Sequence, residues 1–119
     1  MIVRKSSVGS VHVLTVSGSV DFAVDGLFAE AVADAVATAQ SPLVVDLREV
    51  VFMDSSGISR LVQAYKTMLA RGDYFGVVAG GLVLRLLRTS GLLAILNVRE
   101  DLETSIAEAG GAASPDSPD

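Results

Sequence analysis

One short segment of the 119-residue chain combines residue types whose spacing could do chemistry. The run Asp54-Ser55-Ser56-Gly57 follows an apolar stretch and precedes apolar residues at helical spacing, so it lies where a helix begins. The first N–H groups of a helix lack internal partners and its dipole is positive there, so a phosphate on one of these serines would be stabilised. Gly57 would let another backbone approach closely. Asp and Ser at this place are also ordinary helix caps, and that alternative stays open.

A hydrolytic or ligand-binding use of Ser55 is the competing hypothesis from another class, and it lacks a catalytic base. The single histidine, His12, shares a predicted strand face with Leu14 and Val16, where a packed side chain is expected. No Gly-x-Ser-x-Gly or Gly-x-x-x-x-Gly-Lys pattern is present. The chain has no cysteine, which excludes thiol catalysis and Cys-ligated metals. We therefore expect no enzymatic activity, no metal and no cofactor.

The composition indicates the cellular location of the chain and excludes some classes of partner. Half of its residues are apolar, 19% are charged, and the mean hydropathy is +0.53. Charges interrupt every candidate apolar run, and the longest uncharged apolar stretch, near 74–84, is too short to span a membrane. The N-terminus lacks the apolar core of a signal peptide. The apolar excess therefore predicts the core of a cytoplasmic protein with no membrane partner, and the net charge of −5 argues against a nucleic-acid partner.

Hydrophobic periodicity predicts the elements that position the serine-containing segment. A hairpin of two strands precedes alternating helices and strands, in the order ββαβαβαβα. This order indicates a single α/β domain with a mostly parallel, mixed sheet of about five strands, and with four helices. A domain over 1–109 and a disordered tail over 110–119 are expected. The predicted strands cover 2–5, 11–17, 43–47, 74–79 and 93–98. The first predicted helix begins at Asp25, its N-cap, and is stopped at Ser41; the second follows a loop over 48–54 and ends at Gly72. The third and fourth predicted helices cover 82–88 and 101–109.

Several stretches, in one order and spacing, resemble a known family. The run from Asp46 to Ile58, with Asp54-Ser55-Ser56-Gly57 inside it, resembles the signature of bacterial anti-sigma factor antagonists of the STAS domain family. Gly18-Ser19-Val20-Asp21 resembles the family's Gly-Glu-x-Asp turn, with Ser in the place of Glu. The stretch 61–72 resembles its long second helix, and Arg88-Thr89-Ser90-Gly91-Leu92 resembles its Ser-Gly-Leu element. The resemblance covers residues 3–109.

The resemblance implies a partner-switching protein without catalysis of its own. The unphosphorylated antagonist binds an anti-sigma factor that is also a serine kinase, and so releases the sigma factor. The kinase phosphorylates the first serine of the pair, which corresponds to Ser55, with Ser56 as the second choice, and a phosphatase restores the free hydroxyl. Asp21 corresponds to a position at the kinase contact, and Asp54 flanks the acceptor serine.

The expected partner surface combines this site with the polar face of the second helix. Its residues are Asp21, Asp54, Ser55, Ser56, Gly57, Ser59, Arg60 and Gln63. A plain solvated surface is the open alternative for the helix face. A second functional hypothesis keeps the same surface but makes the chain a constitutive STAS subunit of a transporter ATPase or of a signalling assembly, without phosphorylation. The free protein is expected to be a monomer.

Overall fold

The structure, a computed structural model, describes residues 1–39 and 42–112, and there it contains the strands and helices that the sequence predicts in the order ββαβαβαβα. The strands are β1 (Ile2–Val8), β2 (Val11–Val20), β3 (Leu43–Met53), β4 (Phe75–Val78) and β5 (Val98–Arg99), and the helices are α1 (Asp25–Thr38), α2 (Ser55–Ala70), α3 (Gly81–Thr89) and α4 (Leu102–Ala112). The strands lie side by side in chain order. β1 and β2 form an antiparallel hairpin, and β2 to β5 run parallel. The predicted mixed sheet is confirmed.

Helices cover both faces of the sheet because its central strands carry apolar side chains on both sides. Phe28 from α1, Leu61 from α2 and Leu87 from α3 are each 0% exposed and pack against one face. On the other face, α4 contributes Ala109 to a smaller cluster over β2, β3 and β4. Fully burying a side chain the size of leucine contributes roughly 1.5–3 kcal/mol. The apolar excess of the sequence is therefore used in two cores, one on each face.

β3 is much longer than the predicted strand, because it includes most of the stretch expected to be a loop, 48–54. Its pairing with β2 continues to the pair Val20–Met53, with register shifts near Ser17 and between Gly18 and Ser19. In the second shift, Gly18 pairs with Val50 and Ser19 pairs with Phe52, so β3 contains one extra residue. This β-bulge keeps the polar and apolar residues of the predicted loop within the sheet.

The prediction of a last strand over 93–98 is wrong for most of that stretch. Only Val98–Arg99 form a strand, and they pair with the end of β4. The preceding residues form turns, in which Leu96 is buried and Asn97 has a positive φ of 50°. The apolar character of Leu93 and Leu96 reflects packing against the core rather than strand pairing, whereas Ile95 is exposed.

α4 continues to Ala112, three residues past the expected domain boundary at 109. The remainder of the predicted tail, 113–119, lies outside the described residues.

Candidate functional site

Asp54 links the end of β3 to the start of α2. It is the N-cap of α2, and its Oδ1 accepts hydrogen bonds from the Ser56 backbone N–H at 3.1 Å and from the Ser56 hydroxyl at 2.5 Å. Its own N–H donates to the Val20 carbonyl at 3.3 Å, which ties the ends of β3 and β2 together. The bond from the Ser56 hydroxyl, assisted by backbone N–H groups, holds the pKa of Asp54 below its ordinary value. A capping carboxylate therefore carries negative charge at this site near neutral pH.

The two adjacent serines have different surroundings. Ser55 is the first residue of α2, its side chain is exposed, and its hydroxyl makes no hydrogen bond among the described residues. Ser56 is partly buried, and its hydroxyl is held by Asp54. A hydroxyl that must react with a molecule in solution needs to be accessible, so this geometry favours Ser55 over Ser56.

Gly57 faces the interior of its own chain. It is buried, and a Cβ built on it would lie 2.8 Å from Met53 Cγ, too close for the two atoms to remain in place. The absence of a side chain thus lets α2 pack closely on the end of β3. Gly57 serves this internal contact; its place on the partner surface stays a prediction.

Asp21 lies on the neighbouring loop, at the end of β2. Its Oδ1 accepts a hydrogen bond of 3.0 Å from Ala23 N–H and caps a short 3-10 helix, Phe22–Val24. The Phe22 backbone N–H in turn is near the Asp54 carboxylate and helps to hold its pKa low. The carboxylates predicted to surround the serine therefore belong to two adjoining loops at one end of the sheet.

Arg60 is engaged within the chain instead of lying free on the polar face of α2. Its Nε and Nη2 donate to the two carboxylate oxygens of Asp25, at 3.2 and 2.7 Å, and its Nη1 donates to Gln63 Oε1 at 3.3 Å. These bonds lower the pKa of Asp25 and raise that of Arg60. Asp25 is thus the first residue of α1 and an ion-pair partner, whereas the N-cap expected at Asp25 is Val24, which makes no side-chain cap bond.

Ser59 and Gln63 lie on the exposed face of α2, one and two turns beyond Ser55. The structure therefore brings together an accessible serine, two carboxylates on adjoining loops and the exposed face of one helix. Sequence patterns missed Asp25 as the partner of Arg60, since the two are 35 positions apart. They also missed Phe22, whose exposed aromatic side chain follows Asp21 directly.

The geometry also tests the competing hypothesis, in which Ser55 is a catalytic serine. His12 lies near the start of β2, eight residues before Val20, which corresponds to about 26 Å along a strand. It is therefore too distant to activate Ser55 as a base. Within residues 1–39 and 42–112, no group of three or more His, Cys, Asp or Glu side chains is arranged to hold a metal ion. No helix in the same part of the chain is long and apolar enough to cross a membrane.

Comparison with known proteins identifies what this arrangement is similar to. The family model of the STAS domain matches residues 3–109, whereas no curated protein sequence matches the chain. The solved anti-sigma factor antagonist from Mycobacterium paratuberculosis has a TM-score of 0.85 and 27% identity, with 92% of this chain and 93% of that chain covered. The anti-sigma factor antagonist SpoIIAA in its unphosphorylated form has a TM-score of 0.72 and 17% identity, with 92% and 97% covered. The phosphorylated form of the Bacillus cell fate determinant SpoIIAA has a TM-score of 0.67 and 16% identity, with 90% and 98% covered.

Proposed function

The chain belongs to the STAS domain family, and from this membership we propose that it is an anti-sigma factor antagonist controlled by phosphorylation of Ser55. In its unmodified form it binds an anti-sigma factor that has serine kinase activity, and so releases a sigma factor. The similarity over almost the whole chain to the antagonist from Mycobacterium paratuberculosis supports this role. The proposal assigns the protein to the cytoplasm, where sigma factors act.

The observation that carries the choice of Ser55 is the contrast between its exposed hydroxyl and the bound hydroxyl of Ser56. In the transfer step, Ser55 Oγ attacks the γ-phosphorus of ATP held by the kinase. The new Oγ–P bond forms as the bond to the ADP oxygen breaks, and the hydroxyl proton passes to a base of the kinase. Ser56 would first have to leave Asp54, which also caps the helix.

The charge of the product explains how phosphorylation ends binding. A phosphoserine adds about −1.5 to −2 charges at neutral pH. In the free protein, water and the positive end of the α2 helix dipole stabilise this charge. In the complex, the phosphate would be desolvated beside the ionised Asp54, and such like-charge contacts disfavour association strongly. A phosphatase that hydrolyses the phosphate ester restores the binding form.

Intact-mass measurement after incubation with ATP and each anti-sigma factor kinase of the source organism tests the acceptor. We expect the wild-type chain and the Ser56→Ala variant to gain one phosphate, and Ser55→Ala to gain none. Ser59→Ala is the matched control, because Ser59 is an exposed serine one turn further along α2. No phosphate on the wild type, or a phosphate retained by Ser55→Ala, would contradict the proposal.

The Ser55→Asp variant tests the switch apart from the acceptor. We expect it to bind the kinase more weakly than Ser55→Ala does, because only the former adds negative charge beside Asp54. Equal affinities would show that charge at this position does not control binding. That result would favour the constitutive STAS subunit instead.

A further inference from the structure

Three large apolar side chains near Ser55 have no role in the phosphorylation step. Phe22, two residues after β2, is 80% exposed; Val51 and Phe52, near the end of β3, are 71% and 43% exposed. Single exposed apolar side chains are ordinary on protein surfaces. Several at one end of a sheet indicate contact with another molecule.

Backbone contacts bring the segments that carry these side chains next to the segments that carry the two carboxylates. Phe52 pairs in register with Ser19, three residues before Phe22 in the chain. The Asp54 N–H donates to the Val20 carbonyl at 3.3 Å, and the Phe22 backbone N–H is near enough to the Asp54 carboxylate to help lower its pKa. The chain segments that carry the three exposed apolar residues and the two carboxylates thus lie together at one end of the sheet.

The β-bulge in β3 is the reason that neighbouring apolar residues are both exposed. In a regular strand, successive side chains point to opposite faces of the sheet. Here Val51 is the extra residue between the pairs Gly18–Val50 and Ser19–Phe52. Val50 and Met53, on either side of the exposed pair, are 7% and 1% exposed. Bulges of this kind are frequent next to functional sites, where they redirect side chains.

We infer that Phe22, Val51 and Phe52 form an apolar anchor that docks the chain on the anti-sigma factor kinase. The matching surface of the kinase is an apolar pocket bordered by basic side chains. Charge complementarity argues for the basic border, because Asp21 and Asp54 adjoin the anchor and would lose water in the complex. Exposed aromatic side chains at the centre of an interface commonly dominate its affinity. The inference rests on the proposed function, which supplies the partner.

The test compares Kd values for the purified kinase by calorimetry. Phe22→Ala removes the most exposed member of the anchor, and Val51→Thr changes only polarity at nearly constant shape. The matched control is Leu69→Ala, since Leu69 is 60% exposed near the opposite end of α2, about 21 Å from Ser55 along the helix. We expect Phe22→Ala to raise Kd at least about tenfold and Val51→Thr to raise it about threefold or more, with Leu69→Ala within about twofold of wild type. Because all three positions are exposed, thermal unfolding should be unchanged.

The outcomes separate the anchor from the proposed function. The anchor is overturned if Phe22→Ala and Val51→Thr both bind the kinase with wild-type affinity. It is also overturned if Leu69→Ala loses as much affinity as they do. In either case phosphorylation of Ser55 can still be observed, so the proposed function stands. A wild-type chain that neither binds any anti-sigma factor kinase nor accepts phosphate from one overturns the proposed function, and the anchor with it.

Discussion

Replacing Gly57 with alanine tests whether the start of α2 is fixed by packing within the chain. The added Cβ would lie 2.8 Å from Met53 Cγ and 3.1 Å from Met53 Sδ. Alanine is favoured over glycine in a helix by up to ~1 kcal/mol, whereas overpacking a filled core costs about 1–3 kcal/mol. Met53 is 1% exposed and is held in the core of the sheet. We therefore expect Gly57→Ala to lower the free energy of unfolding by up to about 2 kcal/mol.

Gly26 provides the matched control for this experiment. It is the second residue of α1, and a Cβ there would meet no atom within 4 Å. Gly26→Ala should therefore gain only the helix preference of alanine and stabilise the protein by up to ~1 kcal/mol. Urea unfolding measures both changes as shifts in the midpoint at a constant slope. Equal stability of the two variants would refute the packing argument.

Three further predictions concern the rest of the framework. The hydroxyl of Ser105, a buried residue of α4, has no hydrogen-bond partner among the described residues, so Ser105→Ala should raise the unfolding free energy by about 1–3 kcal/mol. Thermal unfolding measures this gain, and a gain no larger than that of the exposed Ser59→Ala would contradict the prediction. The lowered pKa values of Asp25 and Asp54 mean that their stabilising contribution is full above about pH 4 and is lost as the pH falls through the folded-state pKa. Asp54→Asn should therefore reduce the fall of the unfolding free energy at acid pH, measured by urea unfolding at successive pH values. An unchanged pH dependence would contradict this contribution of Asp54. Arg60→Gln should accelerate amide hydrogen exchange in the first turn of α1, which it ties to α2, whereas uniform exchange along α1 would contradict that role.

The element order could be predicted because it depends on local periodicity, but the length of β3 could not. Arg48 and Glu49 interrupt the apolar pattern, so the sequence after Leu47 predicts a loop. The strand continues because β2 offers a pairing edge as far as Val20 and two register shifts absorb the mismatch. The opposite error at 93–98 arose because Leu96 is apolar for packing, not for pairing.

The accessible serine could be predicted at the start of a helix, but the environment of the site depends on contacts between distant segments. The ion pair of Arg60 with Asp25 requires α1 and α2 to lie side by side. The contact of Gly57 with Met53 requires the strand to continue to the helix without a loop. No single-residue pattern contains these tertiary contacts.

The most direct test of the central claim compares the affinity of the anti-sigma factor kinase for the unmodified chain and for the chain phosphorylated at Ser55. Both Kd values are measured at one ionic strength, since charge contacts at the surface weaken as salt rises. We expect phosphorylation to raise Kd at least about a hundredfold, because about two negative charges are added beside Asp54. Equal Kd values for the two forms would contradict the account.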